Sequence, residues 1–315
     1  MPRDCLHNHP QFADLIRIVA QQKSIAPALV EKDYWIMHCL YGLQQLGLTF
    51  ELKGGTSLSK GYQAIDRFSE DLDIRIEPPP GRDVKTGWNQ TSRAQTKTRE
   101  EYYDWLAVTI KIDGIDEVER DKDFDSKDFF SGGIRLFYDS VTESVEGLKD
   151  GVVLEAGFDD VTPNSAKDIS SWAYDHAVAS KVKIIDNRAK GVPCYAARYT
   201  FVEKLQTVST KFRRQQATGE FPANFMRHYY DIYKLLQRAE VKSFIGTREY
   251  KAHKDKRFPK ADNKNIAKNQ AFILSDPATR KLYEDAFATT SALYYRGKPA
   301  FGEILAEIGK WADRL

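Results

Sequence analysis

Two aspartates one residue apart, Asp71 and Asp73 in the run DLDIRIE, are the side chains of this sequence best placed to do chemistry. The run alternates, which predicts a strand, and strand residues two apart share a face. Both carboxylates then project from one side while Leu72 and Ile74 enter a core. Adjacent carboxylates are costly unless a cation sits between them. Hard oxygen ligands suit Mg²⁺, which keeps several waters and borrows further ligands from a substrate's phosphates. Paired strand carboxylates can also reach the ~3.5 to 4 Å spacing of a two-metal site, which serves in-line displacement at phosphorus. Ahead of them the run LTFELK alternates into Gly54-Gly55, after which Thr56 or Ser57 opens a short helix. Backbone N–H groups at such a glycine turn form an anion site, and Thr56 and Ser57 add hydroxyl donors. Lys53 and Lys60 flank the turn, either to neutralise phosphate or simply as solvated lysines.

Standing alone, an Asp-x-Asp is most often a solvated strand face. Here a glycine turn, a short helix and a paired-carboxylate strand form one continuous unit, which is more specific. Two competing motifs fail. GGTSLSKG is no Walker A loop, because Ser59 stands where the second glycine belongs and Gly61 follows the lysine. DKDFDS, residues 121–126, lacks the glycine and the closing glutamate of a calcium loop and reads as a solvated charge run.

Around this unit, residues 10–47 carry apolar positions at helical spacing and predict two helices. Pro78-Pro79-Pro80 closes the strand-helix-strand unit, and residues 81–150 are polar and mixed without a clear period, with an acidic stretch at 113–128. GVVLEAGF at 151–158 predicts a strand and Pro193 to Tyr199 suggests another. From about 200 onward four amphipathic segments predict a helical bundle. The fold class is therefore α+β, with residues 1–200 as a first domain and 201–315 as a C-terminal helical domain. The length of 315 residues allows one large or two medium domains. With 47 basic against 45 acidic residues, any attraction to nucleic acid must come from clustering. Cys5, Cys39 and Cys194 cannot build a disulfide framework or a zinc motif, and they read as reduced thiols of a cytoplasmic protein. No signal-like segment and no apolar run near 18 residues predicts membrane insertion.

LKGGTSLSKGY followed by RFSEDLDI resembles the first motif of the AbiEii/AbiGii nucleotidyltransferase toxins, of the DNA polymerase β-like nucleotidyltransferase superfamily. VEKDYW at 30–35, FVEKL at 201–205, RHYYDIYKLL at 227–236 and the tail segments RKLYEDAF and GKPAFGEIL are similar to further parts of that family, so the resemblance covers nearly the whole chain. It implies a polymerase β-like mixed sheet with flanking helices. It implies that Gly54, Gly55, Thr56 and Ser57 cradle the triphosphate of an NTP, that Asp71 and Asp73 bind Mg²⁺, that Lys204 contacts phosphate and that Asp231 completes the polar site. The superfamily's third carboxylate falls to Glu155, a Glu where Asp is common, with Asp159 and Asp160 as fallbacks. Ser69 most simply shapes the turn into the strand, with handling of the transferred group as its other reading. Otherwise Lys204 reads as a surface lysine, and Asp231 as a carboxylate partnered by Arg227. For Glu31, Lys32 and Asp33 the sequence offers no physical role.

The implied reaction is transfer of NMP to an acceptor hydroxyl with release of pyrophosphate. Residues 242–268 hold nine Lys or Arg against three acids, with Phe244, Tyr250 and Phe258 interleaved. This is the signature of a nucleic-acid surface or, equally, of a solvated loop. The resemblance favours tRNA as acceptor and a cognate antitoxin as partner. Two other readings stay open: a transferase acting on a small molecule such as an aminoglycoside, hinted at by the acidic run, and a non-catalytic binding module, against which the intact Asp71, Asp73 and Gly54-Gly55 stand.

Overall fold

The computed structural model describes residues 4–222, 224–290 and 294–315. They form two compact units, the first running to Tyr62 and from Phe68 to Tyr195, the second made of Gln63–Arg67 and Ala196–Leu315.

The first unit is built on a seven-stranded mixed sheet in the order β3-β4-β5-β2-β1-β7-β6. Its strands are β1 (Phe50–Lys53), β2 (Asp71–Ile76), β3 (Glu117–Asp121), β4 (Ser131–Phe137), β5 (Val152–Gly157), β6 (Asn164–Ile169) and β7 (Ala189–Tyr195). β2 lies inside the sheet, antiparallel to β1 and parallel to β5. Leu52, Leu72, Ile74, Ile134 and Leu154 share one face and are fully buried, so register is fixed and the alternate residues Lys53, Asp71, Asp73 and Glu155 must occupy the other.

Helices α1 (Phe12–Lys23) and α2 (Pro27–Gln45) form as the periodicity predicts, and α2 opens with proline at its first turn. Glu31, Lys32 and Asp33 are buried on α2 and, one position apart, point in three directions. Glu31 accepts from Ser140 Oγ at 2.8 Å, Val141 N–H at 2.9 Å and Thr142 Oγ1 at 2.6 Å. Lys32 pairs with Glu70 at 3.7 Å and donates to the Lys149 carbonyl. Asp33 pairs with Lys60 and accepts from Trp172 N–H at 2.8 Å, the first residue of α5 (Trp172–Ala179). Three consecutive charges thus pin the segment ahead of β5, the approach to β2 and the helix after the glycine turn.

Residues 81–150, without period in the sequence, contain α4 (Arg93–Thr109), β3 and β4. Few residues of α4 are buried and one of them is Arg99, so no apolar stripe runs its length; its legible signal is the Ser92/Gln95 capping box. β3 is a polar edge strand, and β4 carries two glycines, Gly132 and Gly133, directly after its first residue. A Cβ on Gly132 would lie 2.6 Å from the Tyr103 ring, so the helix packs against bare backbone there. Near 193–199 the strand ends at Tyr195 and a helix begins at Ala197.

The second unit is helical: α6 (Ala197–Thr218), α7 (Arg227–Leu235), α8 (Ala239–Phe244), α9 (Arg248–Arg257), α10 (Gln270–Ile273), α11 (Pro277–Ala288) and α12 (Phe301–Trp311). The basic segment 242–268 is largely helix, and its aromatics are not surface rings. Phe244, Tyr250 and Phe258 are buried, and Tyr250 donates to the Leu315 carbonyl at 2.9 Å. Among the described residues no helix is long and apolar enough to cross a membrane, and the three cysteines are free and buried.

Burial pushes the Lys32 ammonium down to about 8 against the pull of Glu70 and Asp71. Removing one member of a buried pair strands the other charge at a cost of about 3 to 5 kcal/mol. Urea denaturation of Lys32→Met should show a loss of that order, and adding Glu70→Gln should restore most of it; an unchanged midpoint in the single variant would mean the pair does not anchor the strand.

Candidate active site

The site grows from β2. Asp73 stands directly opposite Lys53 of β1 on one side and Glu155 of β5 on the other, while Asp71 precedes it on the same face. The glycine turn closes over Asp73: Gly54 has φ +69°, and a Cβ there would lie 1.8 Å from Asp73 Oδ2. Only glycine meets both conditions. Thr56 Oγ1 donates to the Asp71 carbonyl at 2.5 Å, tying the helix after the turn to the start of β2. That helix, α3 (Gly54–Thr56), begins at Gly54 itself and not at Thr56 or Ser57 as the hydroxyls suggest; Gly55 and Thr56 are buried in it, and Ser57 is buried close to the Cys194 thiol. Ser69 is half-buried at the entry to β2.

Three carboxylates on two neighbouring strands repel one another. Glu155 records it: burial first, then the charges of Asp73 and Asp71, push its carboxyl up to about 8, against the pull of Lys149 and Lys53. Lys149, which sequence reasoning missed, holds both oxygens of Asp71, at 2.8 and 3.0 Å. Its own N–H donates to Glu70 at 3.0 Å and its carbonyl receives Lys32, so two buried residues aim it. No motif announces Lys149; it lies in the polar stretch between β4 and β5. Lys53 pairs with Asp159 at 3.4 Å, and Asp160 instead accepts from Thr162 N–H and Oγ1 in an exposed turn. Lys53, Asp73, Glu155 and Asp159 border a cleft of about 350 Å³. The donor set is all oxygen, on one face of two neighbouring strands and short of positive charge at Glu155, which suits a hard divalent cation.

Lys204 and Asp231 come together in the helical unit. Asp231 is fully buried and takes a bidentate grip from Arg67, Nε at 2.6 Å and Nη2 at 2.7 Å, with Lys204 Nζ at 3.3 Å. The expected partner was Arg227 one turn earlier; Arg67, from the short segment that belongs to this unit, provides the bidentate pair, and Arg227 adds its field. Lys204 is no surface lysine: it is buried, with Nζ 3.4 Å from His228 Nδ1. Burial and the charges of Lys204, Lys211, Arg227 and Arg67 hold His228 well below the usual imidazole range, so it is neutral.

A glycine turn beside strand carboxylates is an arrangement suited to handling phosphate and metal. The profile of the family described as "Nucleotidyl transferase AbiEii toxin, Type IV TA system" matches residues 36–307, and the chain belongs to that family. No curated protein matches it. Among solved structures it is similar to an antigenic nucleotidyltransferase-like protein from Paracoccidioides brasiliensis, at 11% identity over 72% of this chain and 87% of that one, with a TM-score of 0.35.

Two outcomes follow for the metal-free protein. Because the folded pKa of Glu155 lies above its ordinary value of 4.5, its contribution to stability is full below that value and is lost as pH rises to about 8. Thermal unfolding of Glu155→Gln should lack this decline; identical pH profiles would show that Glu155 is not under like-charge pressure. Lys149→Met removes the cation held by Asp71 and should tighten Mn²⁺ binding several-fold by calorimetry, whereas weaker binding would make Lys149 a support of the metal site and not its competitor.

Proposed function

We propose that the protein transfers a nucleoside monophosphate from an NTP to a hydroxyl of tRNA, with Mg²⁺ as cofactor, and that a cognate antitoxin restrains it. The observation that carries this reading is the row Lys53–Asp73–Glu155, with Asp71 on the same face and Gly54 folded against Asp73. Asp71, Asp73 and Glu155 would hold Mg²⁺, which when bound lowers the pKa of an attacking hydroxyl and neutralises leaving charge. Gly54, Gly55, Thr56 and Ser57, at the start of the helix that follows β1, receive the triphosphate through backbone N–H groups. The acceptor hydroxyl gives up its proton, ultimately to solvent, its oxygen bonds to the α-phosphorus as the bond to the bridging oxygen breaks, and pyrophosphate leaves. Lys204 binds phosphate, and Asp231, both of whose oxygens hold Arg67, positions it through Oδ2. Ser69 shapes the entry to β2. Catalysis then rests mainly on positioning and electrostatics.

Family membership supports a toxin with an antitoxin partner. The helical basic segment supports an RNA acceptor through charge alone, since Lys251 and Lys256 are exposed while its aromatics are buried. The small-molecule reading has lost its hint: within the acidic run, Asp121 and Asp125 are engaged by Arg135 and Arg120, which leaves them poor partners for a cationic drug.

Purified protein incubated with each α-labelled NTP, Mg²⁺ and total tRNA should label the RNA. Asp71→Asn and Asp73→Asn should each reduce labelling by about 10²- to 10³-fold while the fold persists, the scale lost when transition-state charge stabilisation is removed. Lys204→Ala should raise the KM for NTP or lower turnover. Near-normal labelling by either folded Asp variant would sink the carboxylate site.

A further inference from the structure

The cleft beside Asp73 and Glu155 has a wall that the transfer reaction does not by itself explain. Trp88 is 60% exposed, an unusual setting for an indole in a cleft lined by charges. One side of its ring lies on Phe130, with centroids 4.3 Å apart and planes at 30°. The guanidinium of Arg99 also lies against Phe130, 4.1 Å from the ring centroid. Arg99 is fully buried and donates to three carbonyls, Asp128 at 2.8 Å, Lys85 at 2.5 Å and Gln90 at 3.0 Å. It thereby holds both loops that carry the rings. The tight turn from Gly87 to Gln90, closed in both directions at 2.8 Å, presents Trp88. Phe129 at φ +52°, with its N–H on the Ser126 carbonyl, directs the chain into Phe130. Phe130 thus contacts both a buried cation and a second aromatic, and that second ring, Trp88, stays exposed.

Such a rigid platform is built to receive another flat ring. Every nucleobase has a π-face, and unpaired bases of RNA are commonly captured by stacking on aromatic side chains. We propose that this cleft receives the terminal nucleobase of the RNA acceptor, stacked on Trp88, so that its ribose hydroxyl lies toward Glu155 and Asp73. The inference rests on the transfer reaction proposed above for the choice of source. The glycine turn leaves the end of β1, whereas the cleft extends from Asp73 across β5 to the loop ahead of β4, toward the strand that carries Glu155. A volume of about 350 Å³ suits one nucleoside. Lys127, Asp128 and Ser126 on its border offer both donors and acceptors to base edges.

The test uses the full chain and the RNA trinucleotide CCA with a free 3′ hydroxyl, titrated without NTP and followed by calorimetry, with ATP titrated separately. Trp88→Ala should weaken trinucleotide binding by roughly 5- to 150-fold, the range for loss of one base–aromatic stack, while Trp88→Phe keeps most of the affinity. ATP affinity should be the same in all three proteins. Because the platform binds RNA without chemistry, this loss upholds the subsite even if no NMP transfer is ever detected. Equal trinucleotide affinity in wild type and Trp88→Ala, absence of trinucleotide binding at millimolar concentration, or a loss confined to ATP would each overturn it; the last would assign the ring to the NTP base.

Discussion

Like-charge repulsion on a sheet is the constraint around which the first unit is arranged. Asp73 and Glu155 stand in register on β2 and β5 with Asp71 beside them, on the face that the apolar set of these strands does not occupy. Left without cations, side-by-side carboxylates favour protonation or movement. The protein answers by bringing Lys149 onto Asp71 and Lys53 near Asp159, and Glu155 still resists ionisation. Interior registry, set by Leu72, Ile74 and Leu154, is what prevents the strands from slipping to relieve the strain.

Buried charge is used a second time as scaffolding. Glu31, Lys32 and Asp33 occupy one turn of α2, yet each grips a different segment of chain. Their burial is costly, and their partners compensate only because the segments sit where they do. Such a hub favours one arrangement of the loop that carries Lys149 and the helix that carries Lys60. In the helical unit Asp231 has the corresponding place, with one carboxylate organising Arg67 and Lys204. Positioning of this kind gives cationic and anionic groups fixed places before a substrate arrives, which is how electrostatic catalysis avoids reorganisation.

The elements legible in the sequence were those with a strong period or a decisive turn: both N-terminal helices, the strand–glycine turn–strand unit, β5 and the C-terminal helices. What escaped were elements whose packing relies on polar or missing side chains. α4 buries an arginine, β4 opposes Tyr103 with a glycine, and β6 is a polar edge strand. The pairing of Asp73 with Glu155 depends on a parallel contact between distant segments, which alternation alone does not specify. Lys149 and Arg67 were invisible for the same reason, since each meets its carboxylate across a long stretch of chain. The aromatics of the basic segment misled in the opposite sense: their types suit RNA stacking, but helical spacing turns them into the core.

The most direct measurement is the number of protons released when a divalent cation binds. At pH 7 the Glu155 carboxyl, pushed up to about 8, still carries its proton, and a cation bound by all three carboxylates must expel it. Mn²⁺ titrated calorimetrically in buffers of different ionisation enthalpy should release close to one proton per site at pH 7, and much less at pH 9. Mn²⁺ binding with no proton release at pH 7, or no binding at all, would contradict the assignment of these carboxylates as a cation site.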